Sequence, residues 1–291
     1  MLQYSVSFWS FDPLLESGDL SKKAAMRFAR SVGFQGFEML DMYWHKDEDR
    51  TAQADRLKAD AAEESIEISC YTIHNDLALF EEGPFKALVD RMLLDVDIAA
   101  RLGVRTMRVE SAYGPKGQYA SKTFDECLVP VAKGLKVVAR KAAQAGIKVG
   151  LENHGRFVGT SERVEKVIEA VGEDNFGACL DIGNFLVVDE DPLAAVTRLA
   201  PRAVHVHVKD MHLFDTNPGD GAFPTNAGKY LRGAILGEGI VDVAKSVDII
   251  VKAGYHGWLS MEFEGRENLF YAIGRAYDNL TETVKRPTLR T

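Results

Sequence analysis

Apolar residues follow two different periods along the chain, and the two alternate. Short β-type runs are separated by longer runs in which apolar residues recur every three or four positions. The short runs predict strands at 3–8, 34–39, 66–73, 104–110, 147–152, 176–181, 203–208 and 258–263. The longer runs predict amphipathic helices at Ser21–Ser31, Thr51–Glu64, Pro84–Leu102, Thr123–Ala145, Ser161–Val171, Pro192–Leu199 and Val241–Ala253.

Eight strands separated by helices predict an α/β fold, a single (β/α)₈ barrel domain over residues 1–291. The rival is an open doubly wound sheet, which normally has a Gly-rich phosphate-binding turn after its first strand. Trp9-Ser10-Phe11-Asp12-Pro13 is not such a turn. The longest segment predicted to be irregular, about 211–235, lies between the seventh strand and its helix, and either a lid or a surface insertion fits it. The tail 285–291 is predicted to fray.

Charge and composition narrow the possible partners and the location. The chain has 35 basic and 43 acidic residues, a formal charge of −8, which argues against binding to nucleic acid or to an anionic membrane. No apolar run approaches the roughly 20 residues that cross a bilayer, and the N-terminus lacks the basic start of a signal peptide. Three cysteines form no CxxC pair, as expected for a reducing compartment. We therefore expect a cytoplasmic protein.

Four adjacent predicted strands each place a metal-binding side chain near the carboxyl end. Because side chains alternate along a strand, the apolar neighbours of Glu152, Asp181, His207 and Glu262 face the helices while these four face the barrel interior. Three carboxylates and one imidazole form an oxygen-rich set that suits one divalent metal ion. Mn²⁺ is the first choice, with Mg²⁺, Co²⁺ or Zn²⁺ as alternatives. For a single glutamate, pairing with Arg108 is an equally good explanation.

At these residues the sequence resembles the xylose isomerase-like TIM barrel superfamily, in its sugar (phosphate) isomerase/epimerase branch. The resemblance covers nearly the whole chain and rests on several short motifs. They are Gly36-Phe37-Glu38, Leu151-Glu152-Asn153-His154, Asp181-Ile182-Gly183-Asn184, His205-Val206-His207-Val208-Lys209-Asp210, Gly237-Glu238-Gly239-Ile240-Val241-Asp242 and Gly254-Tyr255-His256-Gly257-Trp258-Leu259-Ser260-Met261-Glu262.

The resemblance implies that Glu152, Asp181, His207 and Glu262 hold the metal and that Glu152 and Glu262 also move the substrate's proton. A carbonyl polarised by a metal has an acidic neighbouring C–H, and its loss gives an enediolate. Return of the proton gives epimerisation or aldose–ketose isomerisation. We therefore expect a metal-dependent sugar isomerase or epimerase. His205 is expected one layer below the metal site, as a hydrogen-bonded core residue.

The chain departs from the epimerases at two places. Asn184 stands where many of them carry histidine, and Leu213 and Phe214 occupy a region where they carry arginine. Three motifs look closer to subfamilies that act on oxidised sugars or glycosides: Asp181-Ile182-Gly183-Asn184-Phe185, Glu152-Asn153-His154-Gly155 and Tyr230-Leu231-Arg232-Gly233. The alternative is therefore a metal-dependent lyase, hydrolase or dehydratase acting on 3-oxo-glycosides, including C-glycosides, or on inositol-like ketones. His154 would be an additional base there.

The remaining candidates are substrate contacts and partners. Predicted substrate-binding residues are Asn184, Lys209, Arg232, Glu38, His74 and Trp9. The expected partner is a small sugar or keto-sugar, and by analogy a homodimer or homotetramer, or a hetero-oligomer for the lyase type. Apurinic endonucleases share this barrel, but they use a histidine-rich multi-zinc site and a basic groove, which seven histidines and a charge of −8 do not fit. A non-catalytic sugar-binding subunit remains a further alternative.

Overall fold

Eight parallel strands close into a barrel in the computed structural model, which describes residues 2–285. The strands are β1 (Gln3–Ser7), β2 (Gly36–Leu40), β3 (Glu67–Thr72), β4 (Thr106–Val109), β5 (Lys148–Glu152), β6 (Phe176–Asp181), β7 (Ala203–Val208) and β11 (Trp258–Met261). They are hydrogen-bonded in the order β1-β11-β7-β6-β5-β4-β3-β2, and β2 pairs with β1 to complete the circle. The predicted (β/α)₈ barrel is confirmed, and its strand bounds agree with the prediction to within two residues.

Helices cover the outside of the barrel. They are α1 (Asp12–Ser17), α2 (Lys22–Val32), α3 (Arg50–Glu63), α4 (Glu82–Leu102), α5 (Phe124–Gln144), α6 (Ser161–Val171), α7 (Pro192–Leu199), α8 (Val243–Lys252) and α9 (Leu269–Lys285). The seven predicted helices are all present. Helices α1 and α9 were missed, although the spacing of Ala272, Ala276 and Leu280, all buried, is a helical pattern that the sequence contains. Most of the tail that was predicted to fray lies outside the described residues.

Local signals fix where several helices begin and end. Thr123 and Glu126 form a reciprocal capping box at the start of α5, so that two otherwise unpaired backbone N–H groups are satisfied. Gly103 ends α4 with φ of 83°, a left-handed conformation that glycine adopts without steric cost. The chain then turns directly into β4, which keeps the connection short and positions the strand end at the rim.

The segment predicted to be an irregular loop, about 211–235, contains regular structure, so this part of the prediction was wrong. A small antiparallel sheet forms from β8 (Asp210–Phe214), β9 (Phe223–Pro224) and β10 (Tyr230–Ala234). Met211 and Leu231 are buried and pack with Val187, which supplies this sheet with its own apolar cluster. Burial does not alternate regularly along β8 or β10, so these strands leave no clear period-two pattern in the sequence.

The small sheet lies against the loop that follows β11. A Cβ on Gly233 would lie 2.3 Å from the backbone carbonyl carbon of Glu264, so only glycine permits this approach. The backbone of β10 thereby supports the segment that carries Glu262 and Glu264. The lid function of the segment stays a prediction.

Alternation along the barrel strands separates apolar from polar groups. Val149, Leu151, Val206 and Val208 are fully buried between the strands and the surrounding helices. Their neighbours therefore point into the barrel, where the polar side chains described below are collected. Within residues 2–285, no helix has the length and apolar character needed to cross a membrane.

Candidate metal centre and active site

The four predicted metal ligands converge at the carboxyl ends of their strands. Glu152 and Asp181 are the last residues of β5 and β6, His207 lies near the end of β7, and Glu262 follows β11 directly. One ligand atom from each lies within 4.8 Å of all the others. The Nδ1 atom of His207 is 3.0 Å from Glu152 Oε1 and 3.5 Å from Glu262 Oε1. We call these four residues the quartet.

Backbone groups orient the carboxylate of Asp181. Its Oδ1 accepts hydrogen bonds from the backbone N–H groups of Gly183 at 2.8 Å and Asn184 at 3.0 Å. Its Oδ2 is buried and accepts no hydrogen bond from the described residues, although Lys209 Nζ lies 3.1 Å away. Burial raises the pKa of Asp181, and the Lys209 ammonium opposes that rise. One oxygen is thus fixed by the chain, and the other is left for a ligand.

Glu38 on β2 orients the imidazole of His207 from the opposite side of the barrel. Its Oε2 lies 3.0 Å from His207 Nε2 and 2.9 Å from His205 Nε2, and its Oε1 accepts a hydrogen bond from Thr72 Oγ1. Burial alone would raise the pKa of Glu38, but His207 and His205 outweigh it and hold the pKa well below the usual range. The ionised carboxylate therefore accepts a hydrogen bond from Nε2–H, so that Nδ1 of His207 faces the quartet and can bind a metal ion when it carries no proton.

Two buried cations contact the quartet. Arg108 Nη2 donates to Glu152 Oε2, while its Nη1 donates to Glu110 Oε1 at 3.1 Å. Pairing of a glutamate with Arg108, the alternative raised from the sequence, is therefore realised for one oxygen of Glu152. Lys209 Nζ lies 3.0 Å from Glu262 Oε2 and 3.1 Å from Glu264 Oε1. Each cation thus holds one carboxylate oxygen of a flanking glutamate.

The residues fit a divalent cation in both charge and chemistry. The quartet and its contacts contain six carboxylates against two permanent cations, Arg108 and Lys209, and all are buried except Glu264, which is partly exposed. Burial lowers the pKa of His207, but the anionic groups around it outweigh burial and raise that pKa well above its usual value, so even a protonated His207 leaves the negative charge in excess. The carboxylates are Glu38, Glu110, Glu152, Asp181, Glu262 and Glu264. Uncompensated charge in such an environment is costly, and a divalent ion would offset it. Three carboxylate oxygens and one imidazole nitrogen are suitable ligands for such an ion.

A cavity of about 210 Å³ opens over the quartet. It is lined by Trp9, Leu40, Thr72, His74, Arg108, Glu110, Tyr113, Glu152, His154, His207, Lys209, Glu262 and Glu264. The volume lies below the roughly 300–1,000 Å³ of typical drug-sized ligand sites, which limits the occupant to a small molecule. The polar lining is suited to a hydroxylated compound.

Four of the predicted site residues outside the quartet line this cavity. Trp9 donates its indole N–H to Glu264 at 2.9 Å, and Lys209 contacts Glu264 as described. His74 Nδ1 lies 2.7 Å from Asp41 Oδ1. His154 Nδ1 lies 3.2 Å from Glu110 Oε1.

The ionic state of Glu110 follows from these contacts. Burial alone would raise the pKa of Glu110, but Arg108 and His154 outweigh it and hold the pKa far below the usual range. Glu110 is therefore ionised near neutral pH.

Three predicted substrate contacts lie elsewhere. Glu38 is buried beneath His207, where it contacts the two histidines instead of the cavity. Asn184 is buried with its Nδ2 3.4 Å from Glu152 Oε1. Arg232 lies on β10, with its guanidinium 5.1 Å from the ring centroid of Phe214. Direct contact of these three with a substrate stays a prediction that this cavity does not support.

His205 and Asp210 have structural contacts. His205 is fully buried below His207, as expected from the sequence. The carboxylate of Asp210 accepts four backbone hydrogen bonds, from the N–H groups of Met211, Gly237, Gly239 and Val241 at 2.8–3.0 Å. It therefore fixes the chain between β10 and α8 rather than facing the cavity.

Sequence reasoning missed Asp41, Tyr113 and Glu264. Asp41 follows β2 directly and Glu264 lies three residues after β11, so both occur at the rim where functional groups of a barrel are found. That position was a usable signal. Their partners were not predictable, because His74 and Asp41 come from different strand–helix connections.

Comparison with known proteins identifies the family. A family described as xylose isomerase-like TIM barrel matches residues 26–284. The chain belongs to the xylose isomerase-like TIM barrel family. The resemblance found in the sequence is thereby confirmed, and the quartet lies within the matched region.

Bacterial enzymes and catabolic proteins of curated function resemble parts of this chain. The rhizopine catabolism protein MocC of Rhizobium meliloti is 33% identical over 137 residues, which cover 45% of this chain and 41% of MocC. An inosose dehydratase of Lactiplantibacillus plantarum is 29% identical over 152 residues, which cover 51% of this chain and 49% of that protein. The chain thus spans less than half the length of either relative.

Solved structures reproduce the fold over nearly the whole chain. The IolI protein with a bound zinc atom has a TM-score of 0.75 at 15% identity and covers 97% of this chain and 98% of its own. The 3-keto-D-glucoside 4-epimerase YcjR of E. coli has a TM-score of 0.71 at 16% identity and covers 97% and 98%. Xylose isomerase-like barrels therefore include dehydratases and epimerases, and the quartet makes a divalent metal the expected cofactor.

Proposed function

We propose that this protein is a divalent-metal-dependent dehydratase acting on a small keto-polyol or keto-sugar. The proposed reaction removes the proton next to a carbonyl and expels a hydroxyl from the neighbouring carbon as water. The observation that supports it most is the combination, around one small cavity, of the quartet with two imidazole–carboxylate pairs. The cofactor we propose is Mn²⁺, with Zn²⁺, Mg²⁺ and Co²⁺ as alternatives for this oxygen-rich set.

The quartet supplies the first half of this chemistry. A divalent ion, when bound, polarises the substrate carbonyl and makes the neighbouring C–H more acidic. Glu152 and Glu262 flank His207, so a carboxylate oxygen of either can accept the proton. Arg108 and Lys209 hold the other oxygen of each glutamate, which fixes the direction in which the carboxylate faces the cavity.

Elimination and epimerisation need their proton donors at different positions. An epimerase removes a proton from one carbon and returns it to the same carbon, and the two glutamates can do both. A dehydratase must instead protonate the departing hydroxyl on the neighbouring carbon, because hydroxide is a poor leaving group. His74 and His154 both line the cavity and both lie beside a carboxylate. The inosose dehydratase similarity is consistent with this choice and motivates a keto-inositol as first substrate.

Epimerisation or isomerisation is the second candidate. It is favoured by the placement of Glu152 and Glu262 on either side of His207, which suits proton removal on one face and return on the other. In that case the substrate is an open-chain or cyclic keto-sugar, and no bond to oxygen breaks.

The decisive experiment incubates the metal-loaded protein in D₂O with two substrate groups, a keto-inositol (inosose) and a panel of ketohexoses. Deuterium incorporation beside the carbonyl is followed by NMR, and water loss is followed by mass spectrometry of the product. We expect both exchange and loss of one water from the keto-inositol. Protein stripped with a chelator, the matched control, should show neither.

Two results would change the proposal. Exchange with formation of an epimer or isomer, and without water loss, replaces dehydration by the second candidate. Metal-loaded protein that exchanges no deuterium into any of these ketones contradicts both functions and leaves a binding role.

A further inference from the structure

Two imidazole–carboxylate pairs line the cavity, and their geometry differs. In the His74–Asp41 pair, His74 Nδ1 and Asp41 Oδ1 form a hydrogen bond of 2.7 Å. In the His154–Glu110 pair the two atoms lie 3.2 Å apart, but His154 Nδ1 makes no hydrogen bond with any described residue. Only the first pair has an imidazole whose tautomer is fixed by its carboxylate.

The Asp41 carboxylate is itself held in place. Its Oδ2 accepts hydrogen bonds from the backbone N–H of His74 and from Arg91 Nη1, both at 3.2 Å. Arg91 also donates to the backbone carbonyl of His74 and, at 3.1 Å, to Asp95 Oδ2. The guanidinium therefore joins the carboxylate and the histidine backbone into one rigid unit.

Asp95 anchors this unit to the layer between the barrel and α4. It is fully buried, and its Oδ1 accepts hydrogen bonds from Arg50 at 2.6 Å and from the Tyr71 hydroxyl at 3.2 Å. A charged residue rarely lies in such a position unless its partners are fixed. The network reaches from the helix layer to the cavity wall and ends at His74.

The hydrogen bond from Nδ1–H to Asp41 leaves the Nε2 atom of His74 for other partners. The side chain is 41% exposed and lines the cavity, so a cavity occupant can reach it. We infer that His74 is the catalytic acid that protonates the departing hydroxyl, and that Asp41 and Arg91 are positioning residues. This assignment rests on the proposed dehydratase function and adds to it the group that completes the reaction.

Protons and electrons balance in this step. A glutamate of the quartet accepts the proton next to the carbonyl, and the C–H electron pair forms a carbon–carbon double bond. The neighbouring C–O bond breaks, and the leaving oxygen takes a proton from Nε2 of the His74 imidazolium, so that water departs. His74 is left neutral with Nδ1–H bonded to Asp41, and exchange with solvent returns each group to its starting state.

The test compares two half-reactions in one variant. In His74→Gln, deuterium exchange beside the carbonyl should stay comparable to wild type, because the quartet is intact. Water loss should fall by about 10²–10⁴-fold, the usual contribution of a general acid. His256→Gln is the matched control, since His256 is exposed and precedes β11 at the other end of the barrel, and it should leave both rates unchanged.

Two further experiments distinguish a catalytic role of His74 from a structural one: chemical rescue with imidazole and a double-mutant comparison with Asp41. Free imidazole should restore part of the water loss in His74→Gly, which a purely structural defect would not allow. Asp41→Asn should slow water loss in the wild-type background and add little in His74→Gln, since it acts through that histidine.

Three results would overturn the assignment. The first is equal loss of exchange and of elimination in His74→Gln, and the second is the split behaviour appearing in His154→Gln instead. In both cases the dehydratase function itself would stand. Wild-type protein that exchanges deuterium but never loses water contradicts the function and this assignment together.

Discussion

The strands β5, β6, β7 and β11 carry the quartet at their carboxyl ends, whereas β2, β3 and β4 carry groups that hold or complement it. Glu38 on β2 orients His207, and Arg108 on β4 holds one oxygen of Glu152. His74 follows β3 and faces the same cavity. The two halves of the rim therefore have different tasks. The half formed by β5, β6, β7 and β11 supplies the metal ligands. The half formed by β2, β3 and β4 fixes the tautomer and direction of those ligands and supplies a proton.

This difference shows why neither half is sufficient. Three carboxylates and an imidazole within 4.8 Å would repel or rotate without fixed partners, and those partners reach across the barrel. The helix layer contributes as well, through Asp95 and Arg91. A divalent ion completes the charge balance, so its removal and the loss of a cross-barrel contact should have separable effects.

The largest expected effect comes from the ligand half. Glu152→Gln removes both a metal ligand and a candidate base, so deuterium exchange and turnover should fall by about 10⁴-fold, the upper end for loss of a general base. Steady-state kinetics and NMR exchange at saturating metal measure it. Glu162→Gln on the exposed surface of α6 is the matched control and should not change either rate. Unchanged exchange in Glu152→Gln would move the proton transfer to Glu262 alone.

Metal binding should itself stabilise the folded chain. At a free metal concentration of 100 times Kd, linkage adds about 2.7 kcal/mol to the free energy of unfolding. Thermal melts of chelator-treated protein with and without Mn²⁺ should therefore differ by several degrees. Asp181→Asn removes the ligand whose Oδ2 accepts no hydrogen bond from the described residues, and it should lose most of this shift. A shift of equal size in Asp181→Asn would show that the ion binds elsewhere.

The metal ligands on β5, β6, β7 and β11 could be predicted from the sequence, whereas the roles of the residues on β2, β3 and β4 could not. Glu152, Asp181, His207 and Glu262 each stand beside apolar residues of their own strand, so local alternation gives their direction. The roles of Glu38, Arg108 and His74 depend on contacts between side chains 33 to 169 positions apart in the chain. No local pattern encodes such pairs. For the same reason, the segment in which β8 pairs with β10 was predicted to be a loop.

The smallest predicted effect concerns Glu38, and it tests the division of tasks most directly. Glu38→Gln keeps all four ligands. Its amide can donate to His207 Nε2, which favours the tautomer with the proton on Nδ1 and removes the lone pair that faces the quartet. Metal affinity should fall by about 10–100-fold, as is usual when a residue that orients a ligand is changed. Titration of metal-free protein against a chelating dye measures it.

The matched control is Glu67→Gln, an exposed change at the other end of β3, which should keep wild-type affinity. Circular dichroism and the melting temperature of the metal-free protein separate a weakened site from a weakened fold, since Glu38 is buried. If Glu38→Gln binds Mn²⁺ as tightly as wild type, His207 is oriented by the quartet itself. The residues on β2, β3 and β4 would then contribute only the proton donor. The contact between Glu38 and the two histidines would stabilise the barrel core without affecting the metal.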